Sequence, residues 1–374
     1  MLIISIVIII LYLLLIGSFT IGFDKVKPIL LEDIPTKTNF SIVIPFRNEA
    51  ENLPDLLDSI LGLNYGKYKF EILFVNDHSE DNSENLIRSK LSKTKIDYSI
   101  LINNGQSSSP KKNAITKAIS ESKYDWIVTT DADCKLPKYW LDTFDCLIQK
   151  NDTKFIVAPV TYHNIISFFK RFQLLDFLSL QGVSIGSFGI KKPILCNGAN
   201  LAYSKTLFIE LNGFEGNTHI SSGDDIFLLE KTISKHSECI HYLRSEHAIV
   251  KTLAQPNLKS LLSQRIRWAS KTSSYNSLFA KLTGIITFLM NGFLVCAPLL
   301  VLAGFVSLKL LMYAFIIKFC IDFLLLFKTA RFFNQETSLA SFFFSSFIYP
   351  FFSVYVVFIS VFRGYKWKDR TYNK

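Results

Sequence analysis

The sequence predicts an α/β fold with a mostly parallel sheet, flanked by transmembrane helices. Two observations predict it. Between residues 36 and 270, short β-rich runs alternate with segments of helical period, as in an ordinary globular block. Outside that block, residues 1–22 and 282–362 are dense in Ile, Leu, Phe and Val. The chain of 374 residues is 49% hydrophobic and only 19% charged, which is apolar for a soluble protein.

Residues 2–22 form an uncharged run long enough to cross a bilayer. No basic stretch precedes it and no A-x-A site follows, so an uncleaved anchor over 1–23 is expected rather than a signal peptide. A linker over 24–39 leads into a block expected to run from 40 to 275. Its first strand is the run at 41–45, ending on a proline, and Asn48 is placed to cap a helix with Leu53, Leu56, Leu57 and Ile60 on one face. A second strand at 70–75 ends in the turn 76–79. A helix at 84–92, a strand at 98–102, a flexible loop at 105–110, a helix at 111–120 and a strand at 126–130 follow. Strand–helix repeats at this spacing indicate a parallel sheet with ligands at the carboxyl ends of its strands. Beyond residue 140 the rhythm loosens, with a strand expected at 157–160 and helices at 168–180, 207–211 and 226–233.

Residues 257–274 carry Leu258, Leu261, Leu262, Ile266 and Trp268 among basic residues, which suits an amphipathic helix on a membrane surface. The region 276–363 holds three candidate spans near 282–305, 309–327 and 340–362, with Lys318 and Asp322 at i,i+4 in the second. A cytosolic block followed by three crossings puts the basic tail 364–374 outside, against the positive-inside rule. One segment is therefore expected to be re-entrant or interfacial, with Pro298 and Pro350 marking breaks.

The net charge of +10 does not indicate nucleic acid. Lys25 and Lys27, and Arg363, Lys366, Lys368 and Arg370, flank apolar stretches as membrane-anchor charges do, and no basic stripe with interleaved aromatics is present. The 6 cysteines form no C-x-x-C pair and read as small buried hydrophobes in a reducing compartment.

Four polar signatures carry the chemistry. Asp131 and Asp133 follow a predicted strand, and two carboxylates one residue apart can hold Mg²⁺ or Mn²⁺ together with phosphate oxygens; an acidic turn capping the next helix is the plainer alternative. Asp77, after Asn76, can accept hydrogen bonds from a nucleobase or ribose, or simply close an Asx turn. Gly223-Asp224-Asp225 opens an apolar helical run, where one carboxylate can cap the helix and leave the other to deprotonate a hydroxyl. Gln264, Arg267 and Trp268 fall at i, i+3 and i+4, where Arg267 could grip a diphosphate and Trp268 could stack on a sugar. A membrane-interface helix is also rich in Arg and Trp, and both readings can hold together.

In this order the signatures resemble the family 2 glycosyltransferases, inverting and membrane-associated enzymes of the GT-A fold. The matching stretches are Ile44-Pro45-Phe46-Arg47-Asn48-Glu49, Val75-Asn76-Asp77-His78-Ser79, Thr130-Asp131-Ala132-Asp133, Cys196-Asn197-Gly198-Ala199-Asn200, Gly223-Asp224-Asp225 and Gln264-Arg265-Ile266-Arg267-Trp268. The resemblance implies a GT-A nucleotide-sugar-binding domain in which Pro45, Arg47 and Glu49 line the nucleotide pocket and Asp77 contacts the base. Lys112 is implied beside the diphosphate, Asp131 and Asp133 as the metal motif with Asp133 the direct ligand, and Asp225 as general base. Gln264, Arg267 and Trp268 match the family's Q-x-x-R-W motif. Asn76 stands where many members carry Asp, and Asp224 where many carry Glu. The implied function is transfer of a hexose from a nucleotide-diphosphate sugar, expected to be a UDP-sugar, to a hydroxyl of a lipid-type acceptor. A processive polysaccharide synthase is the alternative, and a non-catalytic scaffold with a degenerate transferase domain a third reading. The expected setting is a multi-pass protein of the cell (inner) membrane, part of the cell envelope, with its catalytic domain cytosolic.

Overall fold

The computed structural model describes residues 1–105, 109–218 and 223–362, the side chain of Ser273 excepted, and the backbone of 365–367 and 370–372. The expected loop at 105–110 lies partly outside the described residues, as do the tail charges of Arg363 and Lys368 and the side chains of Lys366 and Arg370. Contacts divide the chain into a helical unit (Met1–Val26, Asn164–Leu195, Ala254–Lys374) and a sheet unit (Lys27–His163, Cys196–Leu253).

In chain order, α1 (Leu2–Lys25) precedes β1 (Phe40–Phe46), α2 (Leu53–Leu61), β2 (Phe70–Asn76), α3 (Ser83–Leu91), β3 (Asp97–Ile102), α4 (Pro110–Glu121) and β4 (Trp126–Thr129). Then come α5 (Trp140–Lys150), β5 (Phe155–Val157), β6 (Val160–His163), α6 (Phe168–Gly189), β7 (Leu201–Ser204), α7 (Lys205–Glu210), α8 (Asp224–His236), β8 (Ile240–Tyr242) and β9 (Val250–Leu253). The chain continues with α9 (Leu258–Ala269), α10 (Leu278–Leu302), α11 (Leu308–Phe332), α12 (Phe342–Phe362) and a short ribbon of β10 (Tyr365–Trp367) and β11 (Arg370–Tyr372).

The sheet unit is built on a seven-stranded sheet of order β3-β2-β1-β4-β7-β5-β8. The first four of these run parallel, β7 pairs antiparallel with both β4 and β5, and β5 and β8 are parallel. A separate two-stranded parallel pair joins β6 to β9. The central strands are covered on both faces, so β1 and β2 read as near-continuous apolar runs: Phe40, Ile42, Val43, Ile44, Phe70, Ile72, Phe74 and Val75 are all at 0% exposure. The one buried carboxylate among them, Glu71, accepts hydrogen bonds from Ser41 Oγ and the Lys123 amide, each at 2.6 Å. Because β1 lies between β2 and β4, the strand order reverses at β1, and the carboxyl ends of β1, β2 and β4 open on the crevice where α/β sheets bind ligands.

Pro45 is tolerated near the end of β1 for a visible reason. The Val43 carbonyl still receives the Thr130 amide. Residues two apart address the same neighbour, so the missing N–H of Pro45 falls beyond the end of β4.

Three sequence expectations are corrected here. Asn48 does not cap α2: it sits in the left-handed region at φ 51, its Oδ1 accepts the Glu80 amide at 2.8 Å, and the helix starts five residues later with Pro54 in its first turn. The single strand expected at 157–160 is two strands, interrupted at Ala158-Pro159 because proline cannot donate to a ladder. Pro298 and Pro350 lie inside α10 and α12 and break neither helix.

Among the described residues, the helical unit contains four helices long and apolar enough to cross a membrane: Leu2–Lys25, Leu278–Leu302, Leu308–Phe332 and Glu336–Phe362. The long helix α6 belongs to this unit too. Its partner is α1, and small residues make the seam. A Cβ added to Gly186 would come within 3.0 Å of the Phe19 backbone, and one on Gly189 equally close to the Gly22 backbone. Close helix approach of this kind replaces the hydrophobic driving force that lipid-like surroundings do not supply. Lys318 and Asp322 of α11 pair at 2.5 Å, and the Asp322 carboxylate also accepts the Tyr12 hydroxyl of α1 at 2.6 Å. All 6 cysteines are free; Cys134, Cys146 and Cys239 are buried, but Cys296 and Cys320 are exposed on α10 and α11.

Candidate active site

The ends of β1 and β2 are tied into one surface. Arg47 donates to the Asp77 carbonyl at 3.1 Å, and its guanidinium lies 3.9 Å from the Asp77 carboxylate. Asn103, just past β3, donates to Asp77 Oδ1 at 2.8 Å and to the Pro110 carbonyl at 3.0 Å. Asn76 Oδ1 accepts the Ser79 amide at 2.8 Å, closing the Asx turn, and its amide nitrogen donates to Glu84 at 3.1 Å. Asn48 and His78, at φ 51 and 58, stand one after each strand. Two left-handed non-glycine residues side by side mark a backbone over-determined by its surroundings. Glu49 accepts from Asn52 at 2.6 Å, and its amide donates to Ser83 Oγ at 2.9 Å. Asp81 bridges the two loops, accepting the amides of Ala50 and Ser83. Burial pushes the Asp81 carboxyl up, but the donors from Ser83 and Ala50 outweigh it and hold the group below its ordinary range. Pro45, Arg47, Glu49 and Asp77 therefore share one rim.

The second cluster lies past β4. Lys111, in the first turn of α4, sits 2.6 Å from Asp131 Oδ1 and 3.6 Å from Asp224 Oδ2. Burial alone would lower its pKa, yet Asp131 and Asp224 hold the ammonium well above its ordinary range. Asp133 accepts from Thr252 Oγ1 at 3.1 Å. Asp225 Oδ2 accepts the Gly198 amide at 3.1 Å, and Oδ1 accepts the adjoining Ile226 amide at 2.8 Å. Gly198 is where these groups converge: an added Cβ would lie 3.0 Å from Asp224 Oδ2 and 3.4 Å from Lys111 Nζ. Its carbonyl is held by Thr129 Oγ1 at 2.8 Å. Asn200 fixes the rest of that loop, donating to the Pro159 and Ala248 carbonyls at 2.8 Å each and accepting from Trp140 Nε1 at 2.9 Å. Cys134, next to the acid pair, is buried, and burial together with Asp133 and Asp131 pushes its thiol up.

Lys112 makes a different set of contacts. Its ammonium is buried, donating to the Asn217 carbonyl at 2.7 Å and lying 5.0 Å from the centre of the Phe227 ring. The lysine that reaches the acids is Lys111. Helical rotation separates adjacent residues by about 100°, so only one of the pair can face the cleft.

Among the described residues no group of three or more His, Cys, Asp or Glu is placed to hold a metal ion. Asp131 and Asp133 still fit Mg²⁺ or Mn²⁺ bound in the manner of a substrate-bridged ion. Such hard cations take oxygen donors, and Mg²⁺ commonly uses one or two carboxylates, substrate phosphates and water. The Asp131 side chain is 37% exposed, open to such a partner.

The Q-x-x-R-W residues belong to the helical unit. α9 is capped by Asn257, whose side chain accepts the Ser260 amide at 2.9 Å. Gln264, Arg267 and Trp268 lie on this helix, and Trp268 packs against Phe177 of α6 with ring centroids 6.1 Å apart. Two residues of α9 are buried, Leu261 and Arg265, and Arg265 is the charged one, for which the sequence offers no role. The signal available was Asp176, a lone carboxylate in an apolar helical stretch.

Comparison with known proteins decides the family. A model described as glycosyl transferase family group 2 matches residues 126–334, more than half of the chain, and one described as glycosyl transferase family 2 matches residues 41–210. The chain belongs to the family 2 glycosyltransferases. No curated protein sequence matches it. Among solved structures, this glycosyltransferase shares its fold with the mannosyltransferase PcManGT from Pyrobaculum calidifontis, described in complex with GDP-Man and Mn²⁺. That match has 16% identity and a TM-score of 0.56 over 91% of this chain and 98% of the other. S. aureus TarS 1–349, in complex with UDP, aligns at 13% identity and a TM-score of 0.46 over 90% of this chain and 96% of the other. The glucosyl-3-phosphoglycerate synthase of Mycobacterium tuberculosis, in complex with Mn²⁺, UDP and glucosyl-3-phosphoglycerate, aligns at 16% identity and a TM-score of 0.44 over 63% and 79%. The expected GT-A fold, with its mostly parallel sheet, is the one observed.

Proposed function

We propose that this glycosyltransferase moves a hexose, with inversion, from a nucleotide-diphosphate sugar to a hydroxyl of a lipid-type acceptor at a membrane. The observation that carries this reading is the convergence of Lys111, Asp131, Asp224 and Asp225 around Gly198. A single displacement needs a base for the attacking hydroxyl and positive charge for the departing diphosphate, and it needs no covalent nucleophile. Asp225 is held by two backbone amides with its carboxylate oriented, and takes the acceptor proton as the acceptor oxygen bonds to the anomeric carbon. The bond from that carbon to the diphosphate breaks, and the nucleoside diphosphate leaves beside Lys111. Asp131 and Asp133 would hold Mg²⁺ or Mn²⁺, which supplies charge neutralisation for the leaving group when bound. Mn²⁺ in the complex of PcManGT is consistent with this assignment. The rim of Pro45, Arg47, Glu49 and Asp77 would take the nucleoside. Gln264, Arg267 and Trp268 are assigned to the transfer on their motif. Lys112 is given no contact with substrate.

Four candidate spans favour a lipid-type acceptor over a processive polymer, which needs a roomier channel for export. In this reading the protein is a multi-pass protein of the inner membrane with the sheet unit cytosolic. Membranes bearing the chain are given labelled UDP-sugars first, then GDP-sugars, and the products are chromatographed. Discrete lipid bands that disappear in Asp225→Asn support the assignment; polymer retained at the origin turns it to synthase chemistry, and transfer undiminished in a folded Asp225→Asn removes the base.

A further inference from the structure

We propose that Asp176 is a positioning residue for the transfer: through Arg265 it fixes where Gln264 and Trp268 stand. The proposal rests on the reading that these two motif residues serve the reaction. Arg265 Nε lies 2.6 Å from Asp176 Oδ2, and the two side chains are only 5% and 6% exposed. The guanidinium also addresses the motif itself. Nη1 donates to Gln264 Oε1 at 2.5 Å, and the guanidinium carbon stands 4.3 Å from the centre of the Trp268 ring. Phe177, the residue after Asp176, packs on the same indole.

A second contact from the same face of α6 holds the approach to α9. Gln173, one turn before Asp176, accepts the Gln255 amide at 2.8 Å and donates to the Gln255 carbonyl at 3.0 Å. Thus α6 grips the chain on entry to α9 and again at Arg265. Joining two helices does not require an ion pair at Arg265. Desolvating two charges is costly, and a packed apolar pair of similar volume generally holds helices as well. What Arg265 adds is a flat, five-donor plane that addresses Gln264 and Trp268 at once, and Asp176 fixes that plane. Arg265 occupies an unspecified position of Q-x-x-R-W, so the motif carries its own support.

The test separates joining from positioning. The full chain, labelled with 5-fluorotryptophan, is prepared as wild type, as the double variant Asp176→Leu with Arg265→Met, and as Arg265→Lys; Trp268→Phe assigns the Trp268 fluorine resonance. The double variant is expected to keep the wild-type melting temperature and the Trp140 resonance, to shift the Trp268 resonance, and to lose transfer by about tenfold or more. Arg265→Lys keeps the charge opposite Asp176 but not the plane, and is expected to show the same shift and loss. Should the double variant not fold, Arg265→Lys alone decides. A folded variant with transfer within about twofold of wild type, or an unmoved Trp268 resonance, overturns the proposal. Should the wild type transfer no sugar from any donor, the functional reading fails, and the fluorine resonance alone decides whether Asp176 positions Trp268.

Discussion

The Gly198 amide and the Asp225 carboxylate are joined by one hydrogen bond of 3.1 Å, and it ties the loop before β7 to the start of α8. Two motifs 27 residues apart thereby become one surface. The bond leaves Asp225 with both oxygens accepting from backbone amides, which orients the carboxylate before any acceptor arrives. Replacing Asp225 by Asn keeps an oxygen for Gly198 but turns an amide group toward the Ile226 N–H. The folded variant is expected to lose about 1 kcal/mol of stability. Transfer is expected to fall by about 10²- to 10⁴-fold, the usual contribution of a general base. Nucleotide binding, measured by titration calorimetry, should stay within about twofold, because the role proposed for Asp225 lies with the acceptor proton rather than with the nucleoside.

Gly198→Ala tests the convergence itself. A methyl group there meets Asp224 Oδ2 at 3.0 Å and Lys111 Nζ at 3.4 Å, both ends of side chains that can give way. The fold should survive with a stability loss of about 1–3 kcal/mol, the range for inserting a methyl into a packed site. The cluster should not survive in place, so kcat should fall by about tenfold or more while the melting curve stays cooperative.

Much of this site was legible in the sequence, and what was missed has a physical pattern. The strand ends carrying Asp77 and Asp131 were found because both runs are β-rich and bounded by polar turns, and a parallel sheet puts ligands at those ends. Of the two adjacent lysines at the start of α4, Lys111 meets the acids and Lys112 the Asn217 carbonyl, and a one-residue rotation of the helix would exchange them. Pro110 stands in the first turn of α4, and helix phase set from it points Lys111 inward. The Asn48 cap failed for a related reason, since Pro54 was the better marker of the start of α2. Asp176 and Arg265 are 89 residues apart, and no local period links them. Their pairing accompanies the packing of α6 on α1, which the small residues Gly186 and Gly189 permit.

The two lysines should separate cleanly on mutation. Lys112→Met keeps the stem but strands the Asn217 carbonyl and removes the cation over Phe227, so it is expected to lower stability by about 1–3 kcal/mol with transfer close to normal in the folded fraction. Lys111→Met should do the reverse in kind, removing the ammonium between Asp131 and Asp224 and lowering transfer by about 10²-fold. Thermal melts and initial rates on both variants check the assignment.

The Lys111 charge also sets a pH expectation. Its pKa is raised in the folded chain, so its stabilising contribution is fully present below the unfolded value of about 10.4 and is lost only as pH rises through the higher folded value. The stability difference between wild type and Lys111→Met should therefore be flat between about pH 6 and 9. Asp81 behaves oppositely: its depressed carboxyl stabilises above its unfolded value of about 3.9, and that contribution is lost as pH falls through the lower folded value. Asp81→Asn should narrow the stability gap to wild type only below about pH 4. Denaturant melts across both windows test each sign.

The seam of α1 and α6 gives the prediction furthest from the chemistry. Gly186 and Gly189 meet the backbones of Phe19 and Gly22, so there is no flexible side chain to move aside. A leucine at Gly186 must push the helices apart and lose the packing that holds them together. The expected cost exceeds the 1–3 kcal/mol usual for overpacking, because backbone rather than a rotamer has to shift. α6 also carries Asp176 and Gln173, so parting it from α1 should disturb α9 as well. Gly186→Leu is expected to lower the melting temperature in detergent and to reduce transfer together, whereas Gly186→Ala should do both to a smaller degree. Equal melting temperatures for the three chains would show that the seam does not hold these helices together.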